Sequence, residues 1–234
     1  MQIRRKASKG NERSGQTVCK KGDGIMKDEK TIMKERCDFC GSGFAVMFWV
    51  TAAFWLLLLI SGIWLAFQPA SDFSAVLTDT PAGMHGMIYF SGLKEGFMAE
   101  LLSEMQFEPG ILNEAAGQMP KYVYLAEQFS NTAAGIGGVL FLWYLKEVFR
   151  NIRKSDTPFI KENTRAIFRM GIAVMIFLAA RENLFPFLAF IKGIGAQGSD
   201  ILNIYWFIPG SVFFCLSAVF EYGRVLQQES DETL

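Results

Sequence analysis

Cys37-Asp38-Phe39-Cys40 is the first place in the chain where residue types and spacing could do chemistry. Two thiols three residues apart can cycle between dithiol and disulfide, or supply half of a zinc site. A zinc centre needs two further ligands. Cys19 lies in the same segment, so Cys19, Cys37 and Cys40 are the weak metal candidates; the single histidine, His85, falls in a different part of the chain. A redox role requires an oxidising compartment and a second thiol pair to relay electrons. Cys215 lies inside an apolar run and reads as a small buried hydrophobe. The plainest reading of Cys37 and Cys40 is a pair beside a membrane, acylated or inert.

The second candidate is Arg181-Glu182-Asn183, inside an apolar stretch. Ionisable residues at membrane depth are costly and are functional hypotheses by default. Measured from Arg165, Arg181 lies about 24 Å along a helix axis, near enough to an interface to snorkel. Measured from Arg169, it lies about 18 Å along, where it needs a partner. Glu182 points about 100° away on the same helix, so the neighbours do not simply pair. Asn203 and Tyr205 are the expected partners on another helix. Two roles stay open: a polar clamp between helices, or a substrate or ion pathway.

Lys146 with Glu147, and Glu221 with Arg224, read as charges anchoring helix ends. No glycine-rich phosphate loop, nucleophile elbow, His-Glu-x-x-His or carboxylate cluster occurs. No catalytic residue and no cofactor site is therefore assigned. A formal net charge of zero gives no global field to attract nucleic acid, so direct nucleic-acid binding is not expected.

The elements that must carry these residues are read from charge-free length. Phe44–Gln68 contains no charge and would be about 37 Å long as a helix, beyond the roughly 30 Å of a bilayer's hydrocarbon core. It is the first span, stopped by Pro69. Residues 1–43 are basic, glycine-rich and without apolar periodicity, so a disordered tail is expected, with Met26 and Met33 as candidate starts besides Met1. A signal peptide is not expected, because the tail is too long and the apolar run exceeds a signal core. Residues 69–130 are acidic and proline-punctuated; Gly96–Phe107 places Phe97, Leu101, Leu102 and Met105 on one helical face, which predicts a loop with short amphipathic helices.

The second span is placed at 131–150, extendable to about 122–152. Its small run Ala133-Ala134-Gly135-Ile136-Gly137-Gly138 lets helices approach closely. A basic linker, 151–165, follows. Thr157-Pro158 reads as a helix start, with a hydroxyl cap and proline at the first position. The third span, 166–191, is kinked by Pro186, and the fourth, 201–222, is bent by Pro209-Gly210. An acidic tail, 223–234, closes the chain. The expected fold is all-α: an integral bundle of four transmembrane helices with a partly helical outer loop. Basic segments stay in the cytoplasm. The tail and linker therefore place both termini inside a cell membrane, with 69–130 outside.

Asp156-Thr157-Pro158-Phe159-Ile160-Lys161-Glu162-Asn163, followed by Arg165 and Arg169-Met170-Gly171, resembles the motif that opens the third helix in the bacterial membrane family called domain of unknown function 2975. Its marker positions here are Pro158, Phe159, Glu162, Asn163 and Arg165. The ending from Val219 through Phe220, Gly223, Leu226, Gln227, Glu229, Asp231 and Thr233 is similar to that family's closing pattern. The resemblance covers about residues 140–234 well and the first span loosely. It implies a four-span bacterial membrane protein without an assigned activity or established catalytic residues. Members are often encoded beside a small helix-turn-helix regulator, which implies a membrane partner for a transcription factor.

The expected function is therefore that of a non-enzymatic sensor or regulatory protein. It sits in the lipid bilayer and engages a cytoplasmic factor such as a helix-turn-helix regulator, with homo-oligomerisation open. One alternative is a small transporter or channel subunit using Arg181 and Glu182. The other is a membrane thiol oxidoreductase using Cys37 and Cys40, which a cytoplasmic location of that pair disfavours.

Overall fold

The computed structural model describes residues 9–80, 83–92, 102, 104–107, 119–155, 157–194, 204–205 and 207–233, with backbone only for 9–34, 77–80, 83–86, 104, 106 and 107. Helix dominates. Helix α1 is Lys9–Ala66 and α2 is Pro120–Lys154. Helix α3, Lys161–Ala179, continues through a π turn at Ala180–Leu184 into α4, Phe185–Ile191. The last helix, α5, is Phe207–Glu232. Three of these rods, over Glu35–Ala66, Pro120–Lys154 and Lys161–Ile191, are long and apolar enough to cross a membrane. Helix α5 is apolar from Phe207 to Phe220 and then charged.

The expected disordered tail is replaced by helix from Lys9 onward, continuous with the first span. No proline precedes Pro69, so nothing in the chain blocks the ladder. Once the span has nucleated a helix, each added residue needs only propagation. The helix ends at Ala66 because Pro69 cannot continue it; Phe67 and Gln68 close the last turn with N–H bonds of 3.1 Å to the Trp64 and Leu65 carbonyls. The second span also starts earlier than its apolar run. Pro120 occupies the first turn of α2, where its missing N–H costs nothing. At the other end, Lys146 to Lys154 belong to α2, and the linker shrinks to the residues before Lys161.

In the 69–130 segment the described residues ahead of α2 form mainly strands, with Leu102 helical; the rest of the expected amphipathic stretch before it lies outside the described residues. β1 (Phe73–Thr80), β2 (Gly83–Phe90) and β3 (Glu104–Phe107) form an antiparallel sheet in the order β1-β2-β3. The register pairs Phe73 with Phe90, Ala75 with Ile88, and Ile88 with Met105. Alternation therefore gathers Phe73, Ala75, Ile88, Phe90 and Met105 on one face. Met105, expected on a helix, is a strand residue; Leu102 is buried, and Phe97 and Leu101 lie outside the described residues. The apolar face of the sheet packs with Leu65, Val123, Tyr124, Phe185, Ala189 and Ile194, so the sheet sits on the ends of α1, α2 and α4. Phe73 and Phe90 stack at 4.9 Å and Phe73 meets Tyr124 edge-on at 5.5 Å. The Tyr124 hydroxyl donates to the Leu102 carbonyl at 3.0 Å.

The long helices stand in a row: α1 against α2, α2 against α3, and α3 against α5. The second core, at the end away from the sheet, holds Val148, Ala166, Ile167 and Met170, flanked by Phe141, Phe213 and Phe220. The small run of α2 is used on both sides. A Cβ on Gly135 would lie 2.3 Å from Trp55 of α1, and one on Gly137 would lie 2.5 Å from both the Ala173 carbonyl oxygen and the Phe177 nitrogen of α3. Where lipid surrounds a bundle, such close backbone approach supplies the dispersion contacts that hydrophobicity cannot. The outward faces are the opposite of a water-soluble surface: Val46, Val50, Phe54, Leu57 and Ile60 of α1 are all exposed.

Candidate functional site

Two polar clusters mark the two ends of the row. The first lies at the sheet end, where α2 faces the π turn. Arg181 Nη1 contacts Glu127 Oε1 at 3.4 Å and donates to Asn131 Oδ1, while Asn131 Nδ2 donates to Glu127 Oε1 at 3.2 Å. Glu127 and Asn131 are one turn apart on α2, so a single guanidinium reaches both. The Glu127 side chain is 18 % exposed and that of Arg181 50 % exposed. Pro186 offers no N–H to the carbonyl one turn back, and the helix widens just before it. The buried Ser130 hydroxyl on α2 donates to the Ala180 carbonyl at 2.9 Å, so a side chain serves the first carbonyl of the wider turn.

Of the residues read as intramembrane polar groups, Arg181 alone joins this cluster with α2. Asn183 Nδ2 donates back to the Ala179 carbonyl at 3.2 Å. Glu182 is exposed and makes no ion pair among the described residues. Asn203 lies outside the described residues, and Tyr205 is exposed at the start of the last rod. The partner seen on α2, Glu127, sits in a stretch that reads as acidic loop until α2 is begun at Pro120. From Gln128 to Leu145 α2 carries no charge, a run of about 27 Å. That is close to the hydrocarbon thickness, so Glu127 and Arg181 mark one rim of the apolar band and Lys146 the other.

The same end is tied to α1 by polar groups. Gln128 Nε2 donates to the Leu58 carbonyl at 3.2 Å, and Trp55 Nε1 to the Thr132 carbonyl at 2.8 Å. Lys121 Nζ donates to the Ala66 and Gln68 carbonyls at 2.9 and 2.5 Å. A cation thereby occupies the C-terminal end of α1, where the helix dipole favours it.

The second cluster lies at the opposite end and brings together the two stretches that carry the family resemblance. Thr157 Oγ1 donates to Gln227 Oε1 at 2.7 Å and accepts the Phe159 N–H at 3.2 Å. The Thr157 hydroxyl thus closes a turn, and the helix starts at Lys161, three residues later than the expected start at Pro158. The Phe159 ring lies over Gly223, where a Cβ would approach within 2.7 Å, and meets Phe220 at 5.4 Å. Asn163, fully buried, donates from Nδ2 to the Pro158 carbonyl at 2.9 Å, and its Oδ1 has no partner among the described residues. Glu162 and Arg165 are exposed on the first turns of α3. Ser217 Oγ donates to the Thr164 carbonyl at 3.0 Å, fixing α5 against α3.

The charges read as anchors are re-paired. Glu147 binds Arg150 at 2.5 Å, whereas Lys146 Nζ sits 4.3 Å from the Phe48 ring and 4.2 Å from the Trp143 ring. Glu221 and Arg224 pair with each other at 2.5 Å. Cys37 is half-buried and Cys40 exposed on α1, both as free thiols; the side chain of Cys19 lies outside the described residues. Asp38, between them, takes Arg153 of α2 at 3.5 Å. No cluster of three metal-ligating side chains occurs among the described residues. Cys215, expected to be buried, is exposed on the outer face of α5. No protein-family model, curated protein or solved structure matches the chain.

Proposed function

We propose that this chain is a four-span membrane protein with both ends in the cytoplasm. It acts without catalysis, as the membrane partner of a soluble regulator of the helix-turn-helix kind. The observation that carries this reading is the joint between the turn before α3 and the end of α5. The Thr157–Gln227 bond and the seating of Phe159 on Gly223 hold the acidic C-terminal residues beside the basic residues of the linker. One surface of mixed charge, built from two distant segments, supports a docking role. The fourth span includes α5 from Phe207 onward, and membership of the domain of unknown function 2975 family is part of the same proposal.

The topology is tested by a membrane-impermeant maleimide on Cys37 and Cys40 in a chain with Cys19 and Cys215 changed to serine. Labelling is expected only after permeabilisation. Labelling in intact cells would invert the topology and bring the thiol oxidoreductase reading forward. Regulation is tested by co-purification of a helix-turn-helix protein encoded beside the chain. Removing Gln228–Leu234, which leaves Gln227 in place, is expected to lower recovery at least tenfold. Undiminished recovery would remove the acidic tail as the contact. The transporter alternative keeps one supporting observation, the Arg181–Glu127–Asn131 cluster between two rods.

A further inference from the structure

Six arginines follow residue 119, and their partners divide them. Arg150, Arg153, Arg181 and Arg224 each pair with a carboxylate: Glu147, Asp38, Glu127 and Glu221. Arg165 and Arg169 pair with none among the described residues. Both are exposed, one helical turn apart on α3, and both line a cavity of about 300 Å³ between α3 and α5 together with Thr164, Phe168 and Ser217. The floor is closed by the Ser217–Thr164 bond. Glu221, one turn from Ser217 on α5, is the carboxylate on that face; Arg224 holds its two oxygens at 2.5 to 3.2 Å, and the Thr164 hydroxyl and Lys161 also face it. The cavity therefore offers two guanidiniums beside a carboxylate that is already paired.

From this geometry we infer that the α3–α5 cavity binds the phosphate of an anionic phospholipid headgroup through Arg165 and Arg169. The inference rests on the reading that these helices cross a bilayer. Guanidiniums at i and i+4 stand about 5–6 Å apart at their Cβ atoms, a spacing that lets both forks close on one phosphate. Arg169 is the last charge before the apolar run Met170–Ala180, which puts the site at the level where headgroups lie. Phe168, between the two arginines, is 46 % exposed and leans on Phe214 at 4.8 Å, an apolar wall for the first methylenes of an acyl chain. Arg169 also lies over the Tyr144 ring of α2 at 5.8 Å. A free phosphate would use the arginines but gain nothing from Phe168.

The test uses the full chain, purified in detergent, with phosphatidylglycerol or phosphatidylcholine added and bound lipid counted by native mass spectrometry. The wild type is expected to retain phosphatidylglycerol at least tenfold over phosphatidylcholine. R165Q/R169Q should abolish that preference, whereas R150Q/R153Q, which removes the same charge from α2, should keep it. R165K/R169K, which keeps the charge but loses both forks, should retain phosphatidylglycerol at a level between wild type and R165Q/R169Q. Equal retention of both lipids by the wild type, or undiminished preference in R165Q/R169Q, would overturn the site. Displacement of the lipid by millimolar inorganic phosphate would reassign it to a free anion. The membrane reading fails separately, if alkaline carbonate strips the chain from membranes.

Discussion

Gly137→Ala is expected to lower the thermal midpoint of the detergent-solubilised protein by about 2–12 °C, while Gly138→Ala leaves it unchanged or raises it. One methyl group is added in each case, one residue apart on the same helix. At Gly137 the new Cβ meets backbone, 2.5 Å from the Ala173 carbonyl oxygen and 2.8 Å from the Phe177 Cα. No rotamer change relieves a clash with backbone, so α2 and α3 must separate along their contact. Overpacking of this kind costs about 1–3 kcal/mol, and for a chain of this size each kcal/mol moves the midpoint by about 2–4 °C. At Gly138 the nearest atom is the Phe177 ring at 3.8 Å, an ordinary contact. There alanine gains up to about 1 kcal/mol of helix propensity. Size-exclusion profiles after a temperature series read both variants. A Gly137→Ala protein as stable as the Gly138→Ala protein would mean that α2 and α3 do not cross at this point.

That small run is also where the sequence is most legible. Alanine and glycine in the middle of an apolar stretch announce a close helix contact, because no other property of the stretch calls for them. The long spans are legible for a similar reason: charge is excluded over about 20 residues, a signal few other structures produce. The sheet is harder to read. In β1 the alternation Phe73, Ser74, Ala75 breaks at the exposed Val76, and the strands are short enough for helical spacing to compete. Of the face read in Gly96–Phe107, Met105 takes its place in the core by pairing with Ile88 across a sheet, which helical spacing does not announce. The π turn has no sequence period of its own; Pro186 marks its far side and nothing marks its near side. Glu127 looked like one more loop acid because the apolar run begins after it. Pro120, a good first helical residue, was the available signal that α2 starts earlier.

Arg181→Leu should destabilise the protein by about 1–2 kcal/mol, and Glu127→Gln in the same chain should recover at least half of that loss. The leucine takes the Arg181 guanidinium away from a largely buried carboxylate at the rim of the apolar band, which Asn131 still holds. Removing one partner of a fully buried pair costs about 3–5 kcal/mol; the half-exposed Arg181 side chain keeps this pair well below that range. Neutralising Glu127 removes the carboxylate that Arg181 balanced while the glutamine can still bond Asn131, so the losses should not add. A coupling of about 1 kcal/mol or more between positions 127 and 181 identifies a clamp that holds the π turn against α2. A transport pathway predicts another pattern: Arg181→Leu stops movement of an ion or solute in proteoliposomes while the thermal midpoint stays at the wild-type value, and Glu127→Gln restores nothing. The geometry favours the clamp. Glu127, Asn131 and Ser130 converge on one turn of one neighbouring helix, where the helix departs from α geometry. An arginine in that position satisfies the polar groups that the widened turn and its partner helix bring together.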